Sequence, residues 1–211
     1  CLICFAYLSD QSDQFTGVKP VEERHRFDVA RLQDFLRGKV EGFSGPIEVE
    51  QFKGGQSNPT YRISAGGKRY ALRRKPPGKL LPSAHAVDRE FKVISALHKQ
   101  GFPVAKPYVL CEDEAVIGRG FYVMEFVDGT DLSAIIHEKR DKQEPFTPEE
   151  AANYVIQAAR GLAEASKHNI VHRDIKPANL MVTSKGVVKI ADFGISKVAG
   201  EHGMTMTGTA V

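Results

Sequence analysis

Two short polar motifs separated by a hairpin signal constrain this chain more than any other feature. The first is His172-Arg173-Asp174-Ile175-Lys176-Pro177-Ala178-Asn179, and the second is Asp192-Phe193-Gly194. Between them lie two apolar runs, Leu180–Thr183 and Val187–Ala191, joined at Lys185-Gly186. Runs of this length around a glycine read as two short strands. Such a hairpin is expected to bring Asn179 and Asp192 together. They offer an amide oxygen and a carboxylate, the hard donors that Mg²⁺ prefers. Asp174 can accept the proton of a hydroxyl, and Lys176, two residues on, can reach a phosphoryl group. A base, a cation and two metal ligands are the parts that phosphoryl transfer requires.

The remaining sequence describes what surrounds these motifs. Of 211 residues, 42% are hydrophobic and 26% charged, a balance that can bury a sizeable core. A net charge of +3 gives no strong electrostatic case for a nucleic acid or an anionic membrane as partner. No apolar run approaches the ~20 residues of a membrane span; Leu2–Leu8 is short and has no basic leader. Cys1, Cys4 and Cys111 cannot form a disulfide framework, and the spacing of Cys1 and Cys4 lacks further metal ligands nearby. A soluble, reducing, cytoplasmic setting is expected.

Residues 1–26 read as a polar tail or linker. A helical stripe of Val29, Leu32, Phe35 and Leu36 follows Asp28 and ends near Gly38. Ile47–Phe52, Thr60–Ser64 and Lys68–Arg74 read as strands, broken by Gly54-Gly55 and Gly66-Gly67. A helix is expected over about 84–99, then strands at Tyr108–Cys111 and Phe121–Val127. Beyond the break at Pro145, Thr147-Pro148-Glu149-Glu150 has the form of a capping box. The helix it opens should run to about His168 on a stripe of Val155, Ile156, Ala159, Leu162 and Ala163.

The two motifs that opened this section resemble the catalytic loop and the metal-binding triplet of protein kinases. Lys176-Pro177 resembles the serine/threonine-specific branch. The resemblance implies catalytic roles for Asp174, Lys176 and Arg173, with Mg²⁺ on Asn179 and Asp192. It also makes Tyr122–Gly129 the strand and hinge beside adenine. Backbone groups near Glu125 and Val127 would bond the base, and Met124 would line the back of its pocket. Ser196–Val211 then resembles the start of an activation segment. Thr205, Thr207 and Thr209 become phosphorylation candidates there, and a phosphate on one of them could pair with Arg173.

The first half resembles a different branch of the same superfamily. Gln51–Tyr61 and Tyr70–Gly78 are similar to the aminoglycoside phosphotransferase family, in particular the type found beside acyl-CoA dehydrogenases, over about 27–130. By that likeness Gly54 and Gly55 form a turn whose amides approach phosphate, with Ser57 and Asn58 as side-chain donors. Arg73 stands where an ATP-binding lysine is expected, and Glu90 where its ion-pair partner is expected. Arg74, Lys75 and Lys79 are read as surface charges.

The expected fold is therefore α+β and bilobal. Residues 27–127 would form an N-lobe of five antiparallel strands with one helix. Residues 128–211 would form the hinge and a mainly helical C-lobe truncated in the activation segment. The chain reads as composite, with a seam between about Asp128 and Thr147 and low expected stability. ATP and Mg²⁺ are the implied cofactors. The acceptor is a protein Ser/Thr hydroxyl, with a small hydroxylated metabolite as the alternative. A third reading is a non-catalytic nucleotide-binding module.

Overall fold

Alternation sets the main sheet. In the strand Thr60–Ala65 the residues Tyr61, Ile63 and Ala65 point inward and their neighbours do not, the period-2 pattern of a half-buried strand. The structure, a computed structural model, describes residues 17–53, 58–78, 87–167, 170–192 and 197–198. In chain order the strands are β1 (Val18–Lys19), β2 (Ile47–Phe52), β3 (Thr60–Ala65), β4 (Lys68–Arg74), β5 (Pro107–Cys111) and β6 (Phe121–Glu125). They form one antiparallel sheet in the order β1-β2-β3-β4-β6-β5. Three helices accompany it: α1 (Val29–Leu36), α2 (Val87–Lys99) and the single turn α3 (Glu114–Ile117).

The sheet thus has six strands where five were expected; α1 and α2 lie on the two helical stretches read from the sequence, one more than the single N-lobe helix expected, and the turn α3 is additional. The added strand lies in the segment read as a tail. Val18 and Lys19 pair with Phe52 and Gln51, and Gly17 O accepts from Lys53 N, so the outer edge of β2 has a partner. Two residues are too few to show alternation, which is why the sequence hid them. Asp28 caps α1 by accepting from Arg31 N, and Leu32 and Leu36 are fully buried. They join Tyr61, Ile63, Tyr70, Leu72, Phe121 and Val123 in one core.

Residues 129–141, given no structure by the sequence reading, form strand β7 (Gly129–Asp131) and helix α4 (Leu132–Asp141). The long helix α5 (Pro148–Lys167) opens with the expected box: Glu150 N donates to Thr147 Oγ1, and Thr147 N donates to Glu150 Oε2. Then come the short strand β8 (Ile170–Val171), the hairpin β9 (Leu180–Thr183) and β10 (Val188–Ile190), and β11 (Lys197–Val198). A second sheet has the order β10-β9-β7. A Cβ on Gly129 would stand 2.3 Å from Val182 O, so only glycine lets β7 approach β9.

The stretch expected as a seam is packed into the fold. Leu132 of α4 shares a core with Val93, Ile94 and Leu97 of α2, and with Leu180, Val188 and Ile190 of the hairpin. The stripe expected to bury α5 is corrected in four of its five positions: Val155 is 66% exposed and Ile156 47%, Ala159 and Ala163 are also exposed, and Leu162 packs against the core. Its buried face is the small-residue row Ala158, Gly161 and Ala165. A Cβ on Gly161 would meet Ile190 Cδ1 at 2.8 Å, so small size, not hydrophobicity, selects that face. Among the described residues no helix is long and apolar enough to cross a membrane.

Arg74 is also corrected. It is 3% exposed, not a surface charge. Its guanidinium donates to Ile117 O (3.3 Å) and His25 O (3.2 Å) and lies over the rings of Phe27 and Tyr61. It therefore fastens the segment before α1 and the turn α3 to the sheet. Lys75 is 3.9 Å from Asp88, and Lys79 lies outside the described residues. Arg74→Ala should lower unfolding stability by about 3 kcal/mol, because it strands two carbonyls and empties a packed site. Arg69→Ala, which breaks an exposed pair with Asp128, should cost less than about 1 kcal/mol. Urea unfolding of both variants checks the contrast.

Candidate functional site

The site is built where β4, α2 and the hairpin converge. Arg73, near the end of β4, sits between two carboxylates. Its Nη2 donates to Asp192 Oδ1 at 2.9 Å. Its Nε lies 3.0 Å from Glu90 Oε2, an ion pair in which the N–H is not aimed at the oxygen. The Arg73 side chain is 14% exposed, Glu90 5% and Asp192 44%. The arginine thus reaches from a buried acid to a solvent-exposed one.

Glu90 belongs to α2, whose register places it inward with Val87, Val93, Ile94 and Leu97. Burial pushes its carboxyl up from the ordinary range, and the Arg73 charge opposes that push. Asn58 Nδ2 donates to Oε1 at 3.0 Å, and the Tyr122 hydroxyl donates to Oε2 at 3.1 Å. Burial also pulls the Arg73 guanidinium downward, but its interactions with Glu90, Tyr122 and Asp192 together outweigh that pull and hold the group above its usual value. Sequence reasoning gave Asn58 to phosphate; the structure turns it inward, 2% exposed, to hold Glu90. It missed Tyr122, whose apolar context reads as core.

On the opposite side, the loop after β8 is threaded by hydrogen bonds. His172 is buried; its Nε2 lies 2.9 Å from Ala191 O, and Asp174 N donates to its Nδ1. Asn179 Nδ2 donates to Asp174 O (2.7 Å) and Asp174 Oδ2 (3.3 Å), and Lys176 Nζ donates to Asp174 Oδ2 (2.7 Å). The Lys176 bond holds the Asp174 carboxyl below its ordinary range. Ala191 N donates to Asn179 O at 2.8 Å, so the hairpin does close Asn179 onto the residue before Asp192. Arg173 and Asp192 have φ of 71° and 61°, left-handed backbone that side chains other than glycine rarely adopt. Phe193, Gly194, Gly54, Gly55 and Ser57 lie outside the described residues, as do Thr205, Thr207 and Thr209.

The chemistry of the donors suits Mg²⁺. With the Asn179 amide nitrogen committed to Asp174, its oxygen is the atom left for a cation, and Asp192 adds a carboxylate. Two protein oxygens suit Mg²⁺, which keeps waters and takes phosphate oxygens as further ligands.

Glu125 ends β6 and begins the linker to β7. Its amide N–H is already donated to Lys106 O at 2.8 Å, so that group is not open to a base. Met124 is half-buried against the core around α2. Val127 follows outside regular structure. Phe126 stacks on Phe52 at 6.2 Å and carries the Arg69 guanidinium over its ring.

Residues 48–169 match the phosphotransferase enzyme family, APH. The chain belongs to this family. It is 46% identical over 123 residues to acyl-CoA dehydrogenase family member 11 of Mus musculus, covering 56% of this chain and 16% of that protein. It is 44% identical over 90 residues to a "probable serine/threonine-protein kinase" of Streptomyces coelicolor, covering 43% of this chain and 13% of that one. The chain thus spans no more than 16% of these relatives. A Ralstonia eutropha structure assigned as an aminoglycoside phosphotransferase is similar with a TM-score of 0.55 and 32% identity, covering 82% of this chain and 66% of that one. The α+β fold with its antiparallel sheet is of this kinase-like kind.

Tyr122→Phe removes one of the two hydrogen-bond donors to buried Glu90. It should lower stability by about 1–3 kcal/mol without changing the fold, read by thermal unfolding and far-UV circular dichroism.

Proposed function

We propose that this phosphotransferase moves the γ-phosphate of ATP to a hydroxyl. The observation that carries the reading is one connected network. Asp174, Lys176 and Asn179 are mutually bonded, Asn179 is tied to Ala191, and the next residue, Asp192, is paired to Arg73 and through it to Glu90. In this reading the molecule is bilobal, with the cleft between the main sheet and the second sheet and the hinge at residues 126–128.

Each residue then has a role at a stated atom. Asp174 orients the acceptor hydroxyl and takes its proton on a carboxylate oxygen. Lys176, now on Asp174, lies beside the position the transferred group must cross and balances its charge. Asn179 Oδ1 and the Asp192 carboxylate would hold Mg²⁺. Arg73 would bind phosphate oxygens, with Glu90 fixing its direction. Gly54, Gly55 and Ser57 would cover the phosphates, and the Glu125 carbonyl with the Val127 backbone would hold the base against Met124. Arg173 would steady the loop. When bound, Mg²⁺ neutralises charge on the phosphates.

The acceptor is read as a Ser or Thr hydroxyl of a protein, because Lys176 lies 2.7 Å from the Asp174 carboxylate in a serine/threonine-kinase type of loop. A small hydroxylated metabolite is favoured instead by the family match over 48–169 and by the Ralstonia eutropha neighbour. Labelled phosphate from ATP appearing on Ser/Thr of a basic protein supports the first, and label confined to small alcohols supports the second. No transfer to either, with nucleotide still bound, would leave a binding module.

Asp174→Asn should lower kcat by about 10²–10⁴-fold while Mg²⁺-ATP binding changes little. Asp192→Ala should abolish Mg²⁺-dependent nucleotide binding, measured by titration calorimetry with and without the metal. Unchanged binding in that variant would overturn the assignment of the metal ligands.

A further inference from the structure

The Glu125 carboxylate is a junction that the roles above do not use. Oε2 accepts from Lys106 N at 3.0 Å and from Lys189 Nζ at 2.7 Å. The backbone of the same residue donates to Lys106 O at 2.8 Å, so Glu125 is held from both its backbone and its side chain. A favourable charge interaction also links it to His98, on the last turn of α2. Burial pushes this carboxyl up, but the Lys189 bond and its neighbours outweigh the push and keep it ionised below the ordinary range. The pair is partly shielded, with Lys189 20% and Glu125 37% exposed.

The elements that meet at Glu125 are those that meet at Arg73. His98 lies two turns after Glu90 on α2, and Lys189 lies three residues before Asp192 on the strand leading to it. Arg73 joins Glu90 to Asp192 at one end of these two elements. Glu125 joins them at the other, from the last residue of β6, immediately before the hinge. Lys189 points away from the core-facing residues Val188 and Ile190, so core packing does not account for its placement.

We propose that Glu125 and Lys189 are positioning residues for the nucleotide: their ion pair fixes the hinge relative to the strand that delivers Asp192. The inference rests on the ATP reading above. The charge of Lys189 acts through Glu125 and touches neither base nor phosphate. Loss of that charge frees the hinge and the Asp192 end to move independently, so a ligand held by both must first bring them into register.

The test uses the full chain with ATP and Mg²⁺ as the probe, binding by calorimetry and amide hydrogen exchange without nucleotide. Lys189→Met should weaken Mg²⁺-ATP binding about tenfold, and the Glu125 and Ala191 amides should exchange faster. Lys189→Arg keeps the cation and should stay within about threefold of the parent. Lys189→Gln repeats the test with a polar side chain should the methionine variant lose its cooperative melt. Parental binding and exchange in the neutral variants would overturn the proposal, as would an equal loss in Lys189→Arg. If the parent itself bound no Mg²⁺-ATP, the functional reading would fall as well, an outcome distinct from a parent that binds and a Lys189→Met variant that binds equally well.

Discussion

One guanidinium holds the candidate site in its present form. Arg73 lies between the buried Glu90 and the exposed Asp192, and no other described contact joins those two acids. A buried carboxylate without a partner costs several kcal/mol and protonates instead. Arg73, Asn58 and Tyr122 all oppose that fate in Glu90, against a burial that still pushes its carboxyl upward. The flat fork of arginine matters here: its separate nitrogens address two acids in different directions, which a single ammonium does less well. Through this contact β4 meets both α2 and the strand end at Asp192.

Much of this arrangement was legible from residue types. The hairpin between Asn179 and Asp192 followed from two apolar runs around a glycine, and the helix cap at Thr147 from a four-residue pattern. The pairing of Arg73 with Glu90 came from a resemblance, not from spacing. What stayed hidden has physical reasons. β1 is too short to alternate. Arg74 looks like any strand-end cation until the carbonyls of His25 and Ile117 arrive from distant parts of the chain. In α5 the pattern misled at every position but Leu162, because the helix has an apolar stripe and a small-residue row, and close approach to Ile190 chose the row. Hydrophobic periodicity ranks faces by transfer energy and does not register how near a backbone must come.

The stretch between Asp128 and Thr147 shows the same difference between pattern and packing. Its motifs change character there, which suggested two unlike halves. Leu132, Ile135 and Phe146 nonetheless pack with side chains from α2 and from the β9–β10 hairpin in one cluster. Sequence kinship and shared core are separate properties, and a core tests only volume and shape.

Gly129 has a mechanical meaning beyond its packing. The chain passes from one sheet to the other there, with a carbonyl so near that only a hydrogen fits between. A methyl group there would have to wedge β7 off β9, so residue 129 sets the spacing at which the crossing chain meets the second sheet.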